Sequence, residues 1–354
     1  MPKRLLTFGG NVLVFVLAML AALVFAEFAV RLIMPQKLTG SSRVQDESGL
    51  LMNKASGETL HQFGDVSVTY NFGPLHNRLL AHPVPDSAGK PRVLVLGDSF
   101  TFGWLTPTGS TYVDKLQAGF PNDQFINGAA AGWGTADYVR YVESYCASIK
   151  PRLILVFLNT DDIGRAYKSG LYSYQDGTLK SEVVGIDPLK KRLNDLPFYN
   201  FVSEHSHLLA LVKAQFYLHQ PQRDISGREF PHLDISSTDN LKAAVGKGEA
   251  LFLRLKSATA ACGAQLAVIY TGWVDYADPS GDREPTMNFL RGAKDFFATN
   301  GIAFYDLAQD PALRKVWADR SAYIIPGDWH PNQRGVDAIY QGTVDALGGS
   351  VLQK

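Results

Sequence analysis

The chain has 354 residues, long enough for one large domain or two small ones, each with a real core. Lys plus Arg and Asp plus Glu both number 34, so the formal net charge is zero. No basic stripe runs along the sequence, which argues against a nucleic-acid partner. At 46% hydrophobic residues the composition is that of a folded protein.

The first element is apolar. Val12–Ala26 is an unbroken apolar run, and the pattern continues to Met34 with Glu27 and Arg31 as its only charges. About 20 such residues span a bilayer, so residues 9–34 are expected to form a transmembrane anchor. A cleaved signal peptide is the competing reading: Lys3 and Arg4 form its basic start, and Val24-Phe25-Ala26 is an acceptable cleavage site. The apolar pattern beyond Ala26, through Phe28, Val30, Leu32 and Ile33, favours the anchor. Glu27 and Arg31 are four apart and can pair on one helix face near the interface. In either reading the remainder lies outside the cytosol: on the anchor reading, as a single-pass membrane protein; on the signal reading, secreted.

Residues 35–90 read as a connector that packs loosely on the main domain, with Val66–Tyr70 alternating like a half-exposed strand. From residue 91 strands and helices alternate. Strands are expected at Arg92–Leu96, Gln124–Asn127, Arg152–Leu158, Ala264–Tyr270 and Ile302–Tyr305. Between them, helices are expected at Thr111–Gly119, Ala136–Ser148, Leu241–Ala261, Thr286–Thr299 and Asn332–Leu347. Three of the strands are continuous apolar runs, the mark of strands covered on both faces. The pattern predicts an α/β domain over 91–348 with a parallel sheet between two helix layers. Ligands in such sheets bind beyond the carboxyl ends of the strands. Those ends carry Asp98-Ser99, the Asn127–Thr135 run, Asn159–Asp162 and Thr271-Gly272-Trp273.

The alternation is interrupted over about 165–240. Tyr167, Tyr172, Tyr174, Phe198, Tyr199, Phe201, Phe216 and Tyr217 lie there, with a helix at Leu208–Leu218. The insertion reads as a lid or substrate wall, or as a surface elaboration with aromatic packing. His205, His207, His219 and His232 have no compact ligand spacing, so no metal is expected. Cys146 and Cys262 read as two buried thiols, or as one disulfide if the domain lies outside the cytosol.

Three stretches carry chemistry. Gly97-Asp98-Ser99-Phe100-Thr101-Phe102-Gly103 delivers a serine to a strand-to-helix turn, where Ser99 is either a nucleophile or a helix cap. A serine hydroxyl needs a base, and the base an orienting acid. Asp328-Trp329-His330-Pro331-Asn332 offers both two residues apart, just before a helix beginning near Pro331. Between them, the glycines of Asn127–Thr135 let backbone N–H groups approach a ligand, as a developing oxyanion requires.

Together these stretches resemble the SGNH/GDSL hydrolase family over residues 91–348, and the anchor followed by Glu27–Arg31 looks like its membrane-tethered bacterial members. The resemblance implies a flavodoxin-like three-layer α/β/α fold. It implies Ser99 as nucleophile, His330 as base, Asp328 as its orienter, and the backbone of Ser99 and Gly132 as oxyanion donors. One position departs: where the family places an Asn whose amide donates to the oxyanion, this chain has Asp161. Three readings are open: Asp161 is protonated, Asn159 supplies the amide, or the site is tuned away from simple esters. The expected activity is a cofactor-free serine esterase or acylhydrolase. Its expected substrates are acyl esters of cell-envelope carbohydrate or lipid. The alternatives are an O-acetyltransferase modifying a polysaccharide and a catalytically impaired binding module.

Overall fold

The structure is a computed structural model that describes residues 2–36, 38, 42–85, 89–183, 192–193, 196–218, 238–272, 283–348 and 351–352. Trp273 and, within the insertion, His219 and His232 lie outside the described residues.

The first helix, α1, runs Pro2–Ile33. Its Gly10–Ile33 portion is long and apolar enough to cross a membrane, with none of it buried in the protein. After it, Arg43–Gln45 (β1) and Leu51–Asn53 (β2) pair as a small antiparallel hairpin.

The main sheet holds eight strands. Five are parallel: β6 (Arg92–Gly97), β7 (Gln124–Asn127), β8 (Leu153–Leu158), β11 (Gln265–Tyr270) and β12 (Ala303–Asp306). Their spatial order is β7-β6-β8-β11-β12. Numbered by appearance this is 2-1-3-4-5, the flavodoxin-like order, with its switch point between β6 and β8.

The side chains of these strands sort by parity, as a period of two demands. Leu94, Leu96, Ile154, Val156, Leu158 and Val268 pack on one face with α4 (Thr135–Ile149), α8 (Thr238–Ala261) and α9 (Arg283–Thr299). Val93, Val95, Leu153, Leu155, Phe157 and Ile269 pack on the other with α3 (Tyr112–Gly119) and α11 (Gln333–Leu347). All six residues of β8 are buried, which is why the strand reads as an unbroken apolar run. Each large side chain so buried stabilises by about 1.5–3 kcal/mol. Truncating Phe157, whose ring lies 4.9 Å from that of Tyr112, would cost about 3–5 kcal/mol.

The stretch expected as a loose connector is part of this sheet. Glu58–Phe63 (β3), Val66–Gly73 (β4) and Asn77–Arg78 (β5) extend it antiparallel beyond β7. Val68, Tyr70 and Phe72 on β4 are buried against Phe102 and Ala129, while Ser67, Thr69 and Asn71 face out. The alternation is legible at Val66–Tyr70, but the pairing partners are not, because a half-buried strand does not announce which edge it joins.

In the insertion, Asp162–Lys168 (α5) is followed by a hairpin of Tyr172–Gln175 (β9) and Thr178–Ser181 (β10). Pro197–His205 (α6) and His207–Leu218 (α7) follow. Pro311–Ala318 (α10) precedes α11. Cys146 on α4 and Cys262 after α8 form a disulfide with 6.0 Å between Cα atoms, so the two-thiol reading gives way to the paired one.

Candidate active site

The site forms at the switch point, where β6 and β8 end. Gly97 closes β6 where a Cβ would overlap Thr101 Oγ1 and the Phe157 carbonyl. Asp98 follows in extended conformation and caps α2 (Ser99–Phe102), its Oδ1 accepting the Phe100 N–H at 2.9 Å. The cap is therefore Asp98, which leaves the Ser99 hydroxyl for another partner. Ser99 Oγ is 2.8 Å from His330 Nε2.

His330 lies in a tight turn. Ile325 N–H donates to the His330 carbonyl at 3.0 Å, and Asp328 N–H to that of Ile325 at 2.9 Å. Asn332 holds this turn to α11: its Oδ1 accepts from Arg334 and Gly335 N–H, and its Nδ2 donates to the Ala322 and Ile324 carbonyls. The helix thus begins at Gln333 with Asn332 as its cap, and Pro331 sits in a β-bridge with Ile324, not in the first turn. Asp328 Oδ1 accepts from His330 N–H at 3.0 Å and also meets His330 Nδ1. With a proton on Nδ1 for that carboxylate, Nε2 is the acceptor for the serine hydroxyl. This is the arrangement that lets a hydroxyl shed its proton as it attacks. The rings of Phe100 and Trp104 flank the imidazole at 5.3 and 5.7 Å.

The glycine-rich run lies beside β6. Gly128 N–H donates to the Val95 carbonyl and Ala130 N–H to that of Gly97. Gly132 has φ +80°, a left-handed conformation that favours glycine. The N-terminal region clamps this run: Asn53 Nδ2 donates to the Ala129 carbonyl, Arg43 to that of Ala131, and Trp133 Nε1 to that of Leu51.

Beneath the serine is an ionic cluster that sequence reasoning missed. Arg165, on α5, donates through Nη1 to Asp98 Oδ2 at 2.9 Å and through Nη2 to Asp161 Oδ2 at 3.1 Å. Its Nη1 also reaches the Trp133 carbonyl at 3.3 Å. Asp162 is fully buried, accepting from Tyr138 Oη and Asn159 N–H, both at 2.8 Å. Burial and then the nearby Asp98 charge push the Asp162 pKa well up, against the pull of Arg165. Burial works against the Arg165 charge, but Asp98, Asp162 and Asp161 more than restore it. The i,i+4 spacing of Asp161 and Arg165 was the available signal.

Two open readings of the Asn-to-Asp position meet this geometry. Asp161 Oδ2 accepts from the Arg165 guanidinium at 3.1 Å. Asn159 donates its amide to Asp98 Oδ2 at 3.1 Å and accepts from Thr160 N–H and Thr271 Oγ1. A second missed residue is Arg78, buried on β5. Its Nη1 donates to the Phe102 and Gly103 carbonyls and its Nη2 to that of Thr106, so the edge strands hold the turn that carries Ser99. Among the described residues no group of three His, Cys, Asp or Glu is placed to hold a metal ion.

Residues 95–338 match the GDSL-like lipase/acylhydrolase family. Among curated proteins no relative matches. Several solved structures are similar. A member of the lipolytic G-D-S-L family from Veillonella parvula is 14% identical, with 73% of this chain and 98% of that one covered and a TM-score of 0.42. The esterase EstA from Pseudoalteromonas sp. is 12% identical, covering 73% and 97% with a TM-score of 0.40. A mutant of Axe2, an acetyl-xylooligosaccharide esterase from Geobacillus stearothermophilus, is 17% identical, covering 75% and 97% with a TM-score of 0.42.

Proposed function

The chain belongs to the GDSL-like lipase/acylhydrolase family and is a serine hydrolase of ester bonds; from that premise we propose that Ser99, His330 and Asp328 are its catalytic triad. The observation that carries this reading is the 2.8 Å approach of His330 Nε2 to Ser99 Oγ, with Asp328 on the other ring nitrogen.

In this reading Ser99 Oγ attacks the acyl carbonyl while its proton passes to His330 Nε2. Asp328 stabilises the imidazolium. The oxyanion is received by the backbone N–H groups of Ser99 and Gly132. Arg165 offsets the Asp161 carboxylate, which would otherwise oppose that charge. The tetrahedral intermediate collapses, His330 returns the proton to the departing alkoxide, and Ser99 keeps the acyl group. Water, deprotonated by His330, then releases the acid and restores the serine. A sugar hydroxyl in the place of water would make the same site an acyltransferase.

We assign residues 9–34 to an anchor and 91–348 to the hydrolase domain, with 35–90 contributing the edge strands and the clamp. A location outside the cytosol, in the periplasm, is supported by the apolar N-terminal segment and by the Cys146–Cys262 disulfide, a bond that persists in oxidising compartments. Acyl esters of cell-envelope carbohydrate or lipid are the substrates that such a location offers. The test is labelling of the full chain with a fluorophosphonate probe, which needs an activated nucleophile and a competent oxyanion site together. The wild type should label and Ser99→Ala should not; undiminished labelling of Ser99→Ala overturns the assignment.

A further inference from the structure

The surface of the insertion carries an apolar group that the catalytic site does not use. Outside α1, eight large hydrophobic residues are exposed among the described residues, and four of them lie between Leu196 and Val212. Phe198 is 79% exposed, Phe201 60%, Val212 55% and Leu196 52%. Helices α6, which Leu196 precedes and which bears Phe198 and Phe201, and α7, which bears Val212, pack together, with Lys213 Nζ donating to Ser203 Oγ at 2.9 Å. Clustering of this kind marks an interaction surface more than chance exposure.

What covers the cluster is indicated by what the helix pair is fastened to. Glu27, near the end of α1, accepts from the N–H groups of His207 and Leu208 at 3.0 and 2.9 Å, and from Ser206 Oγ at 2.7 Å. A carboxylate from one helix thus satisfies the free N–H groups at the start of another, where negative charge is favoured. Arg31 donates to the His205 carbonyl at 2.8 Å, and Gln36 N–H to His207 Nδ1 at 2.8 Å. The pair is joined to the apolar segment at its exit. Counting about 20 residues from Gly10 puts the edge of a hydrocarbon core near Ala29, between Glu27 and Arg31. The exposed apolar surface is also continuous in kind with Phe28, Leu32 and Ile33 on α1 itself, which are 59%, 80% and 78% exposed.

We infer that residues 196–218 are a membrane-interface element, with Leu196, Phe198, Phe201 and Val212 seated in the acyl-chain boundary of a lipid bilayer beside the anchor. Amphipathic helices lie in that plane with their apolar faces about 5–10 Å into the boundary region. The pair also touches the domain: α6 contacts β3, and Glu204 forms an ion pair with Lys54, next to β2, at 3.6 Å. The helix pair is then a bracket that sets the height and tilt of the hydrolase domain on the membrane, in place of a free tether. The inference rests on the reading of α1 as an uncleaved anchor.

The test uses the full chain reconstituted in phosphatidylethanolamine/phosphatidylglycerol vesicles. Because the native cysteines pair with each other, single nitroxide labels can be placed through Phe198→Cys, Val212→Cys, Leu20→Cys within the anchor, and Gln341→Cys on α11. Collision rates with oxygen and with a water-soluble nickel chelate report depth. The oxygen-to-nickel ratio at Phe198 and Val212 should be several-fold above that at Gln341 and below that at Leu20, at every protein-to-lipid ratio. A ratio at Phe198 and Val212 equal to that at Gln341, with Leu20 still protected, overturns the inference and leaves the anchor standing. Protection from both relaxants that grows with protein-to-lipid ratio overturns it in favour of a second copy. A Leu20 label open to the nickel chelate overturns the anchor, and the bracket with it.

Discussion

His330 Nε2 lies 2.8 Å from Ser99 Oγ, 231 residues away in the chain, while Asp328 engages the opposite nitrogen of the same ring. The serine comes from the end of the first parallel strand and the histidine from the turn before the last helix, so only the folded sheet brings them together. Groups that act as one unit fail as one unit. Ser99→Ala and His330→Ala should each lower kcat/KM for p-nitrophenyl acetate by about 10³-fold or more, and the double variant should be little worse than either. Asp328→Asn should lose about 10²–10⁴-fold, because an amide no longer holds the Nδ1–H tautomer. Additive losses in the double variant would separate the two residues.

Arg165 is the sole cation bonded to Asp98 among the described interactions, and it serves Asp161 as well. Removing one partner of a largely buried ion pair leaves the other uncompensated, at about 3–5 kcal/mol. Arg165→Leu should lower the urea midpoint accordingly. Asp161 is a third exposed, so Asp161→Asn should leave stability nearly unchanged. It removes a charge that opposes the oxyanion and adds an amide donor, so kcat on simple esters should rise about tenfold, equal to about 1.4 kcal/mol of barrier. An unchanged kcat would place Asp161 outside the reach of the oxyanion.

The elements that reasoning from sequence reached are those with strong local signals. The continuous apolar runs at β6, β8 and β11 carry their own burial pattern, and the parity of Leu94 and Val95 follows from it. Ser99 and His330 were legible because few reactions need a serine turn and an Asp-x-His turn on one sheet. Arg165 was not, because a surface-type residue on a short helix becomes structural only once Asp98 arrives from the end of β6. Arg78 was hidden for the same reason: its three carbonyl partners lie 24–28 residues away. The antiparallel strands β3–β5 depend on a pairing choice that alternation does not encode. The start of α11 and the cap role of Asp98 differ from expectation by one or two residues, where Asn332 and Asp98 outcompete their neighbours for free N–H groups.

The disulfide ties α4 to the end of α8 across 116 residues. A cross-link closing a loop of that size restricts the unfolded chain, with typical stabilisation of about 2–4 kcal/mol. Cys146→Ser and Cys262→Ser should each lower the denaturation midpoint by the same amount, and the double variant by no more. Reductant should move the wild type to the same value and leave the variants unmoved. A wild type insensitive to reductant, with equal stability in all variants, would show that the bond carries no stability.

Asp137 sits in the first turn of α4, buried, with Oδ2 accepting the Gly134 N–H at 2.9 Å. Burial raises its pKa from 3.8 to about 6, against the pull of two N–H groups and of the Arg165 and Arg43 charges. The folded state therefore holds the proton more tightly than the unfolded chain. Its contribution to stability is complete below pH 3.8 and is lost as pH rises to about 6, beyond which the buried charge is a constant penalty. Asp137→Asn keeps an acceptor for Gly134 and does not titrate. The stability of the variant relative to wild type should accordingly rise by about 2 kcal/mol between pH 4 and pH 7. Urea denaturation of both proteins at pH 4, 5.5 and 7 measures this difference, and other titrating groups cancel because both chains share them. A difference that stays flat across this range would mean that Asp137 is held ionised by Arg165 and Arg43 at every pH tested.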